Sequence, residues 1–314
     1  IFTDDSSGYF KVSKMAACTI PDGEGQSVEV VGSPKDEYIL AFDPSWSESE
    51  SSDDFAMMLI KLNKQTKKGT IVHSYALSGA SLKTHIKYMV YVLTHFNISA
   101  VVGDYNGGVQ FINSCNESDI FKKKNLNLGV IEADLDKSKD YNKNLRRLKN
   151  QYNKSDKKFV FLRKPTSAWI RLANESLQSA FDHKRIFFAG AAMNDDYNNQ
   201  RKSRVPIEQL KFIRNDQNEK GPKGARMIDF VEHQRDMMDL IKVQCAMVQI
   251  TTSSQGTQSF DLPPNLRKQT GADKARKDSY SALVLGNWMM NVVYDMESDD
   301  ISDQQNTFTP MFIS

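Results

Sequence analysis

The feature that most constrains the fold of this chain is the order of its short apolar runs between residues 38 and 102. Three runs of strand type, at 38–42, 55–62 and 71–77, are separated by polar loops and turns. This spacing predicts an antiparallel meander of three β-strands. Apolar residues then recur with a helical period over 81–93, and another strand-like run follows at 98–102. A fourth strand that returns beside the first after a helix predicts a mixed α/β layer architecture.

The later part of the chain carries weaker patterns, which we interpret as separate elements of the same domain. Predicted strands lie at 128–133 and 185–189, predicted helices at 144–152, 168–181, 227–248 and 277–294, and a predicted hairpin at 248–252 and 258–262. Residues 1–36 mix Gly, Ser, Asp and Pro without periodicity, and we expect a linker or peripheral segment there. Residues 37–294 are then the domain, and the acidic residues 295–314 a flexible tail.

Composition excludes several classes of protein. The chain has 314 residues, 39% of them hydrophobic, and a net charge of +2, which argues for a globular core and against wholesale disorder. No run approaches the roughly 18 apolar residues of a membrane span. Three cysteines without a CxxC pair argue against a disulfide framework or a zinc module and fit a reducing cytosol. The chain begins with Ile1 and shows no signal peptide, so we expect it to be the C-terminal piece of a longer protein.

Two acidic residues occupy equivalent positions at the ends of predicted strands. Asp43 follows the first strand, Asp104 follows the fourth, and turn-forming residues come after each. If these strands are neighbours, both carboxylates leave the same edge of the sheet. Two unpaired carboxylates in that position repel each other, and a divalent cation with oxygen ligands, magnesium or manganese, removes the conflict. The alternative is that each aspartate only forms a turn.

A third acidic residue, Asp278, stands at the start of the predicted last helix. A helix start favours an acid whatever its function, so this position alone is weak evidence for metal binding. Asp273, five residues earlier, is a rival for the same role.

Together these segments resemble the nuclease domain of the viral large terminase subunit. The matching motifs are Asp-Pro-Ser at 43–45, Val-Val-Gly-Asp-Tyr-Asn-Gly-Gly at 101–108 and Lys-Asp-x-x-x-Ala-Leu at 277–283. The order of elements matches over residues 38–294, and Asp-Ser-Ser-Gly-Tyr-Phe at 5–10 resembles the segment that joins the terminase motor to its nuclease. The resemblance implies a ribonuclease H-like α/β fold, with a mixed central sheet of antiparallel strands 1–3 and then a parallel strand, flanked by helices.

The resemblance also implies a catalytic metal cluster of Asp43, Asp104 and Asp278. Asp54 matches a further acid of that cluster, with Asp53 as its rival. The implied cofactors are two Mg²⁺ or Mn²⁺ ions, and the implied reaction is two-metal phosphodiester hydrolysis, for which a protein base is not essential.

The implied partner is double-stranded DNA, held through its phosphates by basic side chains. The candidates are Lys122, Lys123, Lys124, Arg146, Arg147, Lys149, Arg201, Lys202 and Arg204, and beside the third acid Lys274, Arg276 and Lys277. The chain has no Gly-x-x-x-x-Gly-Lys-Ser/Thr motif, so the resemblance places the ATPase motor in a preceding domain of the same full-length protein. It further implies the portal and the small terminase subunit as partners, no membrane, and a location in the cytoplasm of the host cell.

Three functions are open at this point. The leading interpretation is an endonuclease that cuts concatemeric double-stranded viral DNA during packaging with little sequence preference. The second keeps the fold but makes the chain a junction resolvase or a transposase-like enzyme. In the third, the chain is a non-catalytic DNA-binding or portal-docking domain, and its acids are structural.

Overall fold

The fold is described from a computed structural model. The residues described are 8–45, 47, 49, 52–132, 158–190, 230–252, 258–269 and 274–306. The strands are β1 (Tyr38–Asp43), β2 (Phe55–Asn63), β3 (Lys68–Leu77), β4 (Ile98–Asp104), β5 (Leu128–Glu132), β6 (Lys158–Arg163), β7 (Ile186–Phe188), β8 (Gln249–Thr252) and β9 (Gln258–Asp261). The helices are α1 (Val12–Ala17), α2 (Leu82–His95), α3 (Tyr105–Glu117), α4 (Asp119–Lys123), α5 (Ser167–Asp182), α6 (Phe230–Met247), α7 (Pro264–Arg267) and α8 (Asp278–Asn306).

The central sheet combines antiparallel and parallel neighbouring strands. Within the described residues it has seven strands in the order β5-β6-β4-β1-β2-β3-β7. Strands β1, β2 and β3 form an antiparallel meander, and β4 lies parallel to β1 on its other side. The predicted fold class, including the meander and the returning strand, is therefore confirmed. Strands β8 and β9 pair antiparallel, as the predicted hairpin requires, and form a two-stranded sheet apart from the central one.

Helices cover both faces of this sheet, which explains why β1 and β2 are buried along nearly their whole length rather than on alternate residues. Helix α8 packs on one face, where Gly286 lies so close to Ile60 and Ala41 that a side chain there would collide with them. Phe42 points to the opposite face and packs against Phe111 of α3. In β1, residue 43 lies on the same face as residue 41, so Asp43 points towards the side that α8 covers.

The N-terminal segment packs onto the domain, whereas the sequence predicts a linker or peripheral segment. Phe10, Met15 and Val28 are each at most 2% exposed. The backbone also joins the sheet, since Thr19 and Ser27 form isolated parallel bridges beside β7. Widely spaced apolar residues on irregular backbone show no periodicity, which is why the sequence pattern does not reveal this packing.

The last helix is longer than predicted: α8 continues to Asn306, whereas the sequence predicts an end near Tyr294. Part of the predicted acidic tail is therefore helical. The predicted helix at 144–152 lies outside the described residues. Among the helices described, none combines the length and apolar character that crossing a bilayer requires.

Candidate metal centre

Asp43 and Asp104 lie side by side at one edge of the sheet. Strands β1 and β4 are parallel neighbours in which Phe42 pairs with Gly103, so the residues that follow share a row and a face. A side chain at position 103 would collide with the Phe42 ring, which explains the glycine before Asp104. The structure therefore confirms the neighbouring strand ends that the candidate site requires.

Asp104 is held in place by the start of the helix that follows it. It is the N-cap of α3, and its Oδ1 accepts a hydrogen bond of 2.7 Å from the backbone N–H of Asn106. Burial raises the pKa of Asp104 above its usual value, and this hydrogen bond offsets part of the rise.

Asp278 reaches the site from the other end of the chain. It is the first residue of α8 and is 9% exposed, and its Oδ2 accepts a hydrogen bond of 2.8 Å from the backbone N–H of Asp54. Burial, with further contributions from the charges of Asp53 and Asp54, raises the pKa of Asp278 to about 7, against an ordinary value of 3.8. The carboxylate is therefore partly protonated near neutral pH.

Asp43 ends β1 and is half-buried. Its pKa is well above the usual value, first because of burial and then because of the charges of Asp278 and Asp104. A hydrogen bond from the Ser281 hydroxyl and the charge of Lys277 act in the opposite direction. The three aspartates that the sequence singles out are therefore near enough for the charges of Asp104 and Asp278 to act on Asp43.

The donor set of this site fits a hard divalent cation. It consists of carboxylates whose mutual repulsion a cation of charge +2 would relieve, and oxygen is the ligand that magnesium and manganese prefer. Within the described part of the chain, no group of three or more His, Cys, Asp or Glu side chains has the arrangement of a formed metal site.

Three basic residues predicted to contact DNA form ion pairs beside the site. The pairs are Lys274 Nζ with Asp53 at 2.8 Å, Arg276 Nε with Asp54 at 3.3 Å, and Lys277 Nζ with Asp261 at 3.0 Å. These three basic side chains therefore lie where the sequence predicts them, but each is ion-paired with an acidic residue of the same chain.

Other predicted site residues lie away from this cluster or cannot be placed. Lys122, Lys123 and Lys124 are exposed at the end of α4. The remaining predictions fall outside the described residues: Arg146, Arg147, Lys149, Arg201, Lys202, Arg204 and Asp273.

Sequence reasoning missed two residues of the site. Ser281 stands three residues after Asp278, one helical turn away, and this spacing is the signal that could have placed it on the same side of α8. Arg163 ends β6 as the register partner of Asp104 and is 1% exposed. Its guanidinium lies over the rings of Trp169 and Trp288, 5.1 and 5.6 Å from their centroids. The neighbouring ends of β1, β4 and β6 therefore carry Asp43, Asp104 and the buried guanidinium of Arg163 in one row.

The raised pKa of Asp278 predicts a specific dependence of stability on pH. In the folded protein the pKa is about 7 and its ordinary value is 3.8, so between these values only the folded state holds the proton. The stability contributed by this protonated group is complete below pH 3.8 and is lost as the pH rises towards 7. The variant Asp278→Asn does not ionise and escapes this loss. We expect its gain in unfolding free energy over wild type to grow by about 2 kcal/mol from pH 5 to pH 7.

This prediction is checked by urea denaturation of both proteins at pH 4.5–8.5 in the presence of a chelator. The difference should level off above pH 8, where Asp278 is ionised in both states. A difference that does not change with pH would contradict the raised pKa.

Comparison with known proteins gives structural matches only. No protein-family model matches the chain, and no curated protein matches it. It is similar to the crystal structure of the large terminase nuclease from thermophilic phage G20c, at 10% identity over 88% of this chain and 95% of that chain, with a TM-score of 0.42. The same nuclease with bound magnesium matches at 9% identity over 91% of this chain and 98% of that chain, with a TM-score of 0.45. The large terminase nuclease domain of Thermus phage P74-26 matches at 10% identity over 88% and 92% of the two chains, with a TM-score of 0.44.

Proposed function

We propose that this chain is a DNA endonuclease that depends on divalent cations and uses Asp43, Asp104 and Asp278. The observation that supports this most is the position of Asp43, half-buried at the end of β1 and within electrostatic reach of Asp104 and Asp278, which come from distant parts of the chain. Like charges at short range destabilise a fold, so such a cluster has no structural advantage. Strongly shifted carboxylates at one edge of a sheet are typical of functional sites.

The chain's own residues orient the three carboxylates. Asp43 accepts a hydrogen bond from Ser281, and Asp104 and Asp278 each accept one from a backbone N–H. Divalent cations bound to these carboxylates would supply the activation of water and the charge neutralisation that phosphodiester hydrolysis needs. Because these carboxylates are already oriented, little free energy is lost to their rearrangement when a cation or substrate binds.

The proposed contacts with DNA lie next to the carboxylates. Lys274 and Lys277 are ion-paired with Asp53 and Asp261, so DNA phosphates would compete with these carboxylates for the two ammonium groups. Binding through such contacts depends strongly on salt and carries no sequence information.

The resemblance of the sequence motifs to terminase nucleases extends the proposal to a biological setting. In that setting, the substrate is concatemeric double-stranded viral DNA, which the domain cuts with little sequence preference during genome packaging. The proposed partners are the ATPase motor of the same full-length protein, the portal and the small terminase subunit, in the cytoplasm of the host cell.

Plasmid cleavage tests the proposed activity. We expect the wild-type chain to nick and then linearise supercoiled plasmid in Mg²⁺ or Mn²⁺, and to leave it intact in a chelator. The variant Asp104→Asn should leave the plasmid intact under all three conditions, while Asp119→Asn, at the distant start of α4, should cut like wild type.

Other outcomes would favour the alternative functions. Folded protein that binds DNA in a salt-sensitive way, ignores the chelator and never cuts would favour a non-catalytic DNA-binding domain. Strong preference for branched over linear DNA would favour a junction resolvase.

A further inference from the structure

Two segments that are far apart in the sequence are fastened together beside the metal centre. The loop at 52–54, which leads into β2, contacts the turn at 274–278, which leads into α8. Asp54 donates its backbone N–H to Asp278, and Arg276 Nε lies 3.1 Å from the carbonyl oxygen of Ser52 and 3.3 Å from Asp54 Oδ1. Lys274 adds an exposed ion pair with Asp53. We call the contacts of Ser52 and Asp54 with Arg276 and Asp278 the loop clasp.

The carboxylate of Asp54 is engaged within the loop clasp. Asp54 is 8% exposed, and its side chain and that of Arg276 form a pair with 11% and 15% of their side-chain surface accessible. The hydroxyl of Ser78 also hydrogen-bonds to this carboxylate. The sequence resemblance implies that Asp54 is a fourth metal ligand, whereas the structure shows its charge satisfied by a guanidinium.

The backbone of Asp54 acts on the metal centre through Asp278. Its N–H donates a hydrogen bond of 2.8 Å to one oxygen of the Asp278 carboxylate. The position of this N–H depends on the conformation of the loop at 52–54. Arg276 holds the same loop through both a backbone carbonyl and a side chain. Groups that orient a ligand in this way contribute about 10- to 100-fold to metal affinity or activity.

We propose that Asp54 and Arg276 are positioning residues: the loop clasp holds Asp278 in the orientation that binds the cation, and Asp54 is not itself a ligand. This inference rests on the proposed metal-dependent nuclease and adds to it a division of roles among the four acids.

Substitutions at the two partners separate positioning from ligation. In Asp54→Asn the backbone N–H stays and the amide oxygen still accepts from Arg276, so we expect plasmid cleavage and Mn²⁺ affinity to fall by no more than about fivefold. In Arg276→Met the loop loses its anchor and the buried carboxylate of Asp54 loses its guanidinium partner, so both quantities should fall about 10- to 100-fold. Arg276→Lys keeps the positive charge and should recover part of the loss.

The measurements are Mn²⁺ binding by calorimetry, DNA binding in a chelator over a range of salt concentrations, and cleavage, with thermal unfolding as the check on folding. Arg171→Met is the matched control, because it breaks an exposed pair with Glu175 on α5, outside the loop clasp. If Arg276→Met does not fold, Arg276→Lys and Asp54→Asn carry the test. Under the proposal, Mn²⁺ affinity changes while DNA affinity and its salt dependence do not.

Two results would overturn the positioning role of the loop clasp without contradicting the proposed nuclease activity. In one, Asp54→Asn loses Mn²⁺ affinity as severely as Asp43→Asn, which makes Asp54 a ligand. In the other, Arg276→Met binds Mn²⁺ like wild type but binds DNA more weakly with a smaller salt dependence, which makes Arg276 a phosphate contact. A wild-type protein that neither binds Mn²⁺ nor cuts DNA overturns the proposed function itself, and the role of the clasp with it.

Discussion

Replacement of Asp43 by asparagine is expected to abolish DNA cleavage and, in the same protein, to increase the free energy of unfolding. Asparagine has nearly the same shape and still accepts a hydrogen bond from Ser281, but it carries no charge. Metal catalysis contributes several kcal/mol, so the loss of this carboxylate should slow cleavage by about a thousandfold or more. The gain in stability follows from the raised pKa, because the folded state penalises the ionised form of Asp43.

The size of the stability change depends on pH, which gives the experiment an internal control. At pH 8 in a chelator, Asp43 is ionised in the unfolded state, and its raised pKa makes ionisation costly in the folded state. At low pH both states are protonated, and the advantage of Asp43→Asn should disappear. One unit of pKa difference corresponds to about 1.4 kcal/mol, which is large enough to detect by urea denaturation.

Asp182→Asn is the matched control for Asp43→Asn, because Asp182 is an exposed carboxylate paired with Lys14. It should leave both cleavage and stability near wild type. If Asp43→Asn lost cleavage and stability together, the activity loss would reflect damage to the fold, and the role proposed for Asp43 would lose its support.

Replacement of Phe10 by alanine is expected to destabilise the domain by about 3–5 kcal/mol. Phe10 is 2% exposed, and its ring packs at 5.9 Å from the ring of Phe181 and 5.8 Å from that of Tyr280. Removal of the ring leaves a cavity between the N-terminal segment, α5 and α8, and the lost contacts and the cavity both reduce stability.

Denaturant unfolding of Phe10→Ala measures this loss. Leu172→Ala on α5 is the control, because Leu172 is 52% exposed and its truncation should change stability by less than about 0.5 kcal/mol. An unchanged unfolding midpoint for Phe10→Ala would show that the N-terminal segment is peripheral, as its sequence suggests.

The parts of the fold that the sequence predicts well are those that local patterns determine. Buried strands need uninterrupted apolar residues, so β1 to β4 are visible as runs, and Asp43 and Asp104 stand out because each ends such a run. The position of Asp278 at a helix start is also local, although its closeness to the other two acids depends on how α8 packs.

The parts that the sequence does not reveal depend on contacts between distant residues. The pairing of Asp54 with Arg276 joins positions that no periodicity relates, so the sequence shows Asp54 only as one more acid. The extension of α8 to Asn306 has a different cause. An acidic, polar stretch looks solvated, but acidic residues are compatible with a helix that is already formed on its N-terminal side.

The loop clasp also has a consequence for the time at which the proposed nuclease becomes competent. The hydrogen bond between Asp54 and Asp278 spans 224 residues, so the ribosome makes β1 to β4 well before it makes α8. At ordinary rates of synthesis, a nascent chain carries Asp43 and Asp104 for on the order of ten to thirty seconds before Asp278 is added. During this interval the carboxylate set is incomplete, and a partly made chain cannot cut DNA. For the proposed nuclease, translation itself therefore delays cleavage until α8 has docked.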